Sequence, residues 1–255
     1  MKDSYLKYRF NELIEFNVKE KEFITLLGNN NDLIIKTLLY TIKKGNIFIG
    51  DLEANNNNLN TIRRKMSFVL FKHLNIFVGE TVMDEIAFSL ESLAIKKDDI
   101  INLITTESRN YNIDHLLDKD PNSLGISDKV KMKIVSSLLI KPKILVLDNI
   151  MSELDYEDKM KVIDMLKEYV KYGGIVINFT NVIEESLYGS RIIIINDKKL
   201  LCDGKTMSVL NEEKLLKRIG IGMPFIIELS KYLMDYGVIN KYYTDNKSLV
   251  GAIWK

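Results

Sequence analysis

The stretch Ile144-Leu145-Val146-Leu147-Asp148 most constrains how this chain can fold, because four branched apolar residues run straight into a carboxylate. An unbroken apolar run of that kind, bounded by turn signals, is a strand covered on both faces. Asp148 then stands at the rim of a sheet. Upstream, Met132 to Ile140 reads as an apolar helix and Lys141-Pro142-Lys143 as its breaker. The local order is helix, turn, buried strand, acidic tip.

The rest of the chain extends this alternation. Tyr5 to Thr25 reads as short strands with a polar turn, and Phe23 to Gly28 as a buried strand ending in glycine. A helix is expected over Asp32 to Lys43. Strand-like pieces follow at Asn46 to Gly50 and Met66 to Phe71, separated by the solvated Asn55 to Asn58 run. Helical periodicity dominates from Thr81 to about Ile140. Buried strands return at Ile175 to Phe179 and Arg191 to Ile195, with Asp203-Gly204 expected to close a hairpin after Leu200-Leu201. Beyond Thr206 a tail begins. Met223-Pro224-Phe225 opens a helix with Phe225, Leu229 and Leu233 on one face and Gly237 at its end, and Thr244 caps a last helix ending at Trp254. Strands alternating with helices imply an α/β fold with a mainly parallel sheet, antiparallel strands at the start and a helical insertion.

With 46% apolar and 28% charged residues over 255 positions, the chain can bury one substantial core. Lys+Arg 36 against Asp+Glu 35 offers no bulk charge to attract nucleic acid. One cysteine, Cys202, excludes an internal disulfide and, with no charged-then-apolar leader at Met1, points to the cytoplasm. No apolar run approaches the roughly 18 to 20 residues of a membrane span, so any membrane association goes through a partner. His73 and His115 lack metal-ligand spacing, and no metal site is expected.

The run Ile144 to Asp155 resembles the Walker B strand and D-loop of ABC-type ATPases: Asp148, Ser152, Leu154 and Asp155 match, while Asn149 stands where the family has its catalytic glutamate. Phe71 to Leu90 is similar to the Q-loop region of energy-coupling factor transporter ATPases, through Phe71, Phe77, Val78, Gly79, Thr81, Val82, Asp84, Ala87 and Phe88. Gly220 to Leu233 and Ser248 to Lys255 resemble that family's C-terminal helical extension. The resemblance covers nearly the whole chain. It implies an ABC-type P-loop ATPase fold over residues 1–207, with a parallel core sheet, an antiparallel β subdomain and a helical subdomain at about 80–140. Residues 208–255 would be a small dimerising helical extension.

Several positions depart from that family's pattern. Gly28 follows its strand as in a P-loop, where backbone N–H groups wrap a phosphate. The chain then continues Asn29-Asn30-Asn31-Asp32, and either Leu33, Ile34 and Ile35 occupy the Gly, Lys and Ser/Thr positions or, with Leu33 to Tyr40 aligned to the helix after a normal P-loop, about three loop residues are missing; either way the phosphate cradle is lost. Lys36 is the remaining candidate cation, against the alternative of an ordinary helix lysine, and Tyr8 matches the family's adenine-stacking aromatic. Lys72 replaces the Q-loop glutamine, either as a solvated lysine or paired with Asp148 in place of metal charge. The signature Leu-Ser-Gly-Gly-Gln is reduced to Leu124-Gly125-Ile126-Ser127-Asp128, with Ser127 expected to cap the following helix. Asn181 takes the switch-histidine position. Phe77, Val78 and Phe88 fall where the family receives coupling helices of a transmembrane subunit.

Charge-assisted hydrogen bonds contribute ~1.5–3 kcal/mol each, so losing the P-loop lysine and several others removes ~6 kcal/mol or more of nucleotide binding. Losing the general base costs ~10²–10⁴ in rate. ATP and Mg²⁺ are the family's cofactors, and these losses argue against both here. The expectation is a non-hydrolysing pseudo-ATPase, peripheral at the inner face of the membrane, paired with an active paralogous ATPase (a homodimer being the alternative) and docked on a transmembrane coupling subunit. Two alternatives stand beside it: a divergent ATPase with a rewired pocket using Lys36 and Asp148, and an ABC-fold scaffold without a transporter.

Overall fold

The computed structural model describes residues 4–91 and 96–254. Residues 92–95 of the expected helical stretch, and Lys255 at the end of the expected extension, lie outside the described residues. The chain opens with β1 (Ser4–Asn11) and β2 (Ile14–Lys19), then β3 (Phe23–Leu27), α1 (Asn31–Leu38), β4 (Asn46–Ile49), β5 (Leu52–Glu53), α2 (Leu59–Lys65) and β6 (Met66–Leu70). Helices α3 (Val82–Glu91), α4 (Lys97–Asn110) and α5 (Ile126–Leu139) follow. The second half runs β7 (Ile144–Asp148), α6 (Tyr156–Lys171), β8 (Ile175–Thr180), β9 (Arg191–Asn196), β10 (Lys199–Lys205) and four short helices, α7 (Thr206–Leu210), α8 (Glu213–Arg218), α9 (Phe225–Asp235) and α10 (Asn246–Ile253).

Two sheets form. One is antiparallel in the order β2-β1-β4-β5; the other has six strands, β10-β9-β3-β8-β7-β6. Within the latter, β9, β3, β8, β7 and β6 are parallel and only β10 is antiparallel. The central strands are buried along their whole apolar length because both faces are covered. Ile24, Leu26, Val146, Ile177 and Ile193 face α1 and the antiparallel sheet. Leu145, Leu147 and Val176 point the other way, into α5 and α6. Leu27, Ile192 and Ile194 on that second face meet Val209, Leu216, Ile227 and Leu249 of the C-terminal helices, so the tail shares the core of the sheet. Among the described residues no helix is long and apolar enough to cross a membrane.

Several local expectations are corrected. The first helix ends at Leu38, not Lys43: Tyr40 adopts φ +59, its N–H donates to the Thr37 carbonyl (3.0 Å) and the Thr41 N–H to that of Lys36 (2.9 Å), a Schellman closure. The hairpin turn is Asp197-Lys198, both left-handed (φ +49 and +58), while Asp203 and Gly204 pair inside β10 with Ile193 and Ile192. Asp203 is needed in the strand, where it takes two hydrogen bonds from Arg191, Nε to Oδ1 at 2.6 Å and Nη2 to Oδ2 at 2.7 Å. The Asn55 to Asn58 loop leads directly into α2, with Asn55 Oδ1 accepting from the N–H groups of Asn57 and Asn58. On α9 the buried face is Ile226, Ile227 and Ser230, whereas Phe225 is 68% exposed. Asp245, not Thr244, caps α10 by accepting from the Ser248 N–H at 2.8 Å.

Candidate functional site

The carboxyl ends of β3, β7 and β8 lie side by side, since Leu27 pairs with Thr180 and Asp148 with Phe179. This rim collects Gly28, Asn31, Asp148, Asn149 and Asn181. Gly28 has φ +124, and a Cβ there would lie 1.9 Å from the Ile195 carbonyl oxygen, so the close approach of this loop to β9 requires glycine. The loop is then tied down by its asparagines. Asn29 Nδ2 donates to Asp197 Oδ1 and Asn29 Oδ1 accepts from the Asp197 N–H, both at 2.9 Å. Asn30 Oδ1 accepts from the Lys198 N–H at 2.7 Å. Asn31 is buried and its Nδ2 reaches the Thr180 carbonyl at 3.5 Å.

Ile34 and Ile35, expected at the P-loop lysine and hydroxyl positions, face the core and are 0% and 1% exposed. Lys36 lies one residue on and bonds Asp32 at 2.6 Å along the surface of α1. Asp148 receives one side-chain hydrogen bond, 3.2 Å from Asn149 Nδ2. Burial raises its carboxyl above the usual range; the charge of Lys72 and the Asn149 bond oppose this, and the charge of Asp32 adds to it. Lys72 is thus within electrostatic reach of Asp148, but no ion pair forms between them among the described residues. Asn149 is itself left-handed (φ +50), with its N–H on the Phe179 carbonyl at 2.9 Å. Asn181 is exposed. Among the described residues no cluster of His, Cys, Asp and Glu could hold a metal ion.

Tyr8 does not serve as a stacking platform. Its ring is 1% exposed and stacked on Phe16, and its hydroxyl donates to Thr37 Oγ1 at 2.7 Å because Thr37 spends its own proton on the Ile34 carbonyl. Burial pushes its phenol up to about 12.

The start of α5, expected at the signature position, carries an ion network. Gly125 is the N-cap of α5, and Ser127, expected as the cap, lies one position inside the helix and donates to Asp158 Oδ2 at 2.8 Å. Lys131 bridges Asp128 (2.8 Å) and Asp158 (2.7 Å), with side chains of Lys131 and Asp158 only 13% and 15% exposed. Burial pushes the Asp158 carboxyl up, but Lys131 and Ser127 outweigh it and hold it below the usual range. In the stretch expected as the D-loop, Asp155 caps α6 through the Asp158 N–H (2.8 Å), and the Ser152 hydroxyl meets the Asn149 carbonyl at 3.4 Å.

The groove beside α3 holds a cavity of about 560 Å³ lined by Val78, Met83, Ala87, Phe88 and Ile101, with Val78 and Phe88 65% and 53% exposed. Phe77, expected with them, turns toward α5 under the ammonium groups of Lys129 and Lys133, 5.7 and 4.6 Å from its ring centre. Glu85, absent from the sequence-based candidates, sets this edge: Oε2 accepts from the N–H groups of Val78 (2.7 Å) and Gly79 (3.0 Å), and Oε1 from Lys133 (2.7 Å). A Cβ on Gly79 would lie 2.3 Å from the Glu85 nitrogen. Lys131 and Asp158 were likewise missed; the Asp128 to Lys131 spacing was the one local signal for them.

This combination of a parallel core sheet with an acidic strand tip, an antiparallel sheet at its edge and a helical layer after β6 matches a solved structure. CbiO1 from Clostridium perfringens, described as part of the ABC transporter complex CbiONQ, superposes with a TM-score of 0.74 over 91% of this chain and 99% of that one, at 20% identity. The fold is that of an ABC ATPase. In sequence, the chain is 28% identical over 226 residues to the energy-coupling factor transporter ATP-binding protein EcfA1 of Mycoplasmopsis synoviae, covering 86% of this chain and 85% of that protein. It is 29% identical over 243 residues to EcfA1 of Ligilactobacillus salivarius, covering 92% and 86%. No protein-family model matches the chain. The ABC ATPase fold therefore carries a rim at which Asn29, Asn30, Lys36 and Asn149 have partners inside the chain.

Proposed function

We propose that this chain is a non-hydrolysing ATPase-fold subunit of an energy-coupling factor type importer, peripheral at the inner face of the membrane, that works through its contacts. The observation carrying this reading is the internal occupation of the P-loop: Asn29 and Asn30 are held by the β9–β10 turn, Ile34 and Ile35 are buried in place of lysine and hydroxyl, and Lys36 is bound to Asp32. These residues do not fit ATP with magnesium. Asn149 cannot act as a base, and its amide is directed back at Asp148. Ser127 gives its hydroxyl to Asp158 and is unavailable to a partner's phosphate.

The contact surfaces support the other half of the proposal. The Val78 and Phe88 groove sets exposed apolar side chains among the charged Glu80, Asp84, Glu91 and Lys97, a lining suited to a short amphipathic helix of a transmembrane coupling subunit. The tail presents Phe225, Tyr236 and Trp254 at 68%, 83% and 84% exposure, which favours a large apolar contact with a paralogous, ATPase-competent subunit. We take residues 208–255 as that dimerising unit.

Equilibrium binding of ATP to the purified chain, with and without magnesium and up to millimolar nucleotide, is the test. Absence of saturable binding is expected. Magnesium-dependent micromolar binding would replace this reading with the rewired-pocket ATPase, and co-expression without recovery of any membrane coupling protein would favour the scaffold.

A further inference from the structure

The helical layer carries a second groove, away from the nucleotide rim and from the Val78 and Phe88 groove. Helices α4 and α6 flank α5, and two cavities of about 610 and 440 Å³ lie between them. They share Asn110, Tyr111, Met165 and Glu168, so they form one trough. Val135, Leu138 and Leu139 of α5 contribute its apolar floor.

The charges along the trough are unevenly satisfied. Lys131 is neutralised by Asp128 and Asp158, and Lys161 by Glu157 at 2.7 Å. Glu107, Asp164 and Glu168 form no ion pair among the described residues, and Lys141 is the one lining cation without such a pair. Carboxylates are therefore in excess. Glu107 and Glu168 lie close enough to Tyr111 that, after burial, their charges raise its phenol further. An aromatic ring between carboxylates above an apolar floor suits an ammonium or guanidinium carried on an apolar stem. From Asp158 to Tyr172 the α6 wall is about 21 Å long at 1.5 Å per residue, the length of a helix of about 14 residues.

We propose that the α4–α6 trough binds a basic amphipathic helix of a partner protein, with its apolar face on Leu103, Met165 and Tyr172 and its cations at Glu107, Asp164 and Glu168. Charge complementarity selects this occupant over an acidic or purely apolar one.

The test titrates the full chain with a fluorescent amphipathic Leu/Lys helix of about 14 residues, its Leu/Glu counterpart, and spermidine. Expected are micromolar binding of the Lys helix alone, weakening at least ~tenfold between about 50 and 300 mM salt, and amide-exchange protection confined to α4, α5 and α6. Glu107→Lys and Glu168→Lys, both on the surface and checked for folding by circular dichroism, should each weaken it about fivefold or more. Glu53→Lys on the antiparallel sheet should leave it unchanged. Equal binding to the Glu helix, equal loss with Glu53→Lys, protection elsewhere, or no binding would overturn the proposal. Spermidine binding with the same variant dependence, and no added affinity for the helix, would reassign the trough to a small polycation.

Discussion

Replacing Lys131 by methionine keeps the aliphatic stem and removes the charge that ties the start of α5 to α6. In the folded chain its ammonium lies 2.8 Å from Asp128 and 2.7 Å from Asp158, with Asp158 15% exposed. The variant leaves Asp158 with the Ser127 hydroxyl and the cap region of α6 as its polar surroundings. Breaking a fully buried pair costs ~3–5 kcal/mol, and the residual exposure here reduces that to about 2–3 kcal/mol. For a chain of this size that is roughly 5–10 °C in melting temperature. Urea unfolding followed by circular dichroism measures it, alongside Asp158→Leu and the double variant, which should recover at least about 1 kcal/mol because the more buried Asp158 carboxylate goes together with its cation and only the more exposed Asp128 loses a partner. The sign with pH follows from the lowered Asp158 carboxyl: its stabilisation is present above the unfolded value of 3.8 and disappears as pH falls through the lower folded value. The penalty of Lys131→Met must therefore shrink in acid. A penalty below about 1 kcal/mol at neutral pH, or one unchanged by acidification, would refute the argument.

Two further perturbations probe the rim and the sheet beneath it. Glu185 is 1% exposed, and burial, opposed by hydrogen bonds from Asn178 and Thr180, raises its carboxyl above 4.5. A raised carboxyl favours the neutral form in the folded state, so stability falls as pH rises from 4.5 through the folded value. Glu185→Gln should abolish that slope and stabilise the chain at neutral pH by on the order of 1 kcal/mol; an unchanged slope in a urea series across pH would disprove it. Gly28→Ala drives a methyl against the Ile195 carbonyl at φ +124 and should cost about 3 kcal/mol or more. A thermal melt within about 2 °C of the parent chain would show that the loop relaxes freely.

Strands β3, β7, β8 and β9 were legible to within a residue because an unbroken apolar run has one stable location, the middle of a covered sheet. Turns and caps were less so, since their choice depends on partners distant in sequence. Asp203-Gly204 has turn chemistry, yet Arg191 holds Asp203 in β10 and the register passes the turn to Asp197-Lys198. Ser127 has capping chemistry, yet its acceptor is Asp158, 31 residues on. Tyr8 kept the expected strand position, while the pairing of β1 with β2 set Phe16 against its ring. Side-chain direction at the rim is likewise tertiary, and Phe77 turned from the groove because two lysines of α5 cover it.

On the proposed reading, the contacts at the rim have a common physical outcome. An ATP site keeps donors poised and unsatisfied until phosphate arrives, which is costly in the empty state. Here Asn29 and Asn30 are satisfied by the β9–β10 turn, Lys36 by Asp32, Ser127 by Asp158, and Asn149 by Asp148 and the Phe179 carbonyl. For nucleotide to bind, these contacts would have to break as the phosphate contacts form, and Asp32 and Asp148 would add repulsion. Lys72, whose charge reaches Asp148, forms no ion pair among the described residues. One charge on a solvated stem supplies ~1.5–3 kcal/mol, too little to offset those losses and reach micromolar affinity, which needs about 8 kcal/mol. On the proposed reading, restoring the P-loop lysine alone therefore leaves the chain unable to bind ATP, because the loop itself is still occupied.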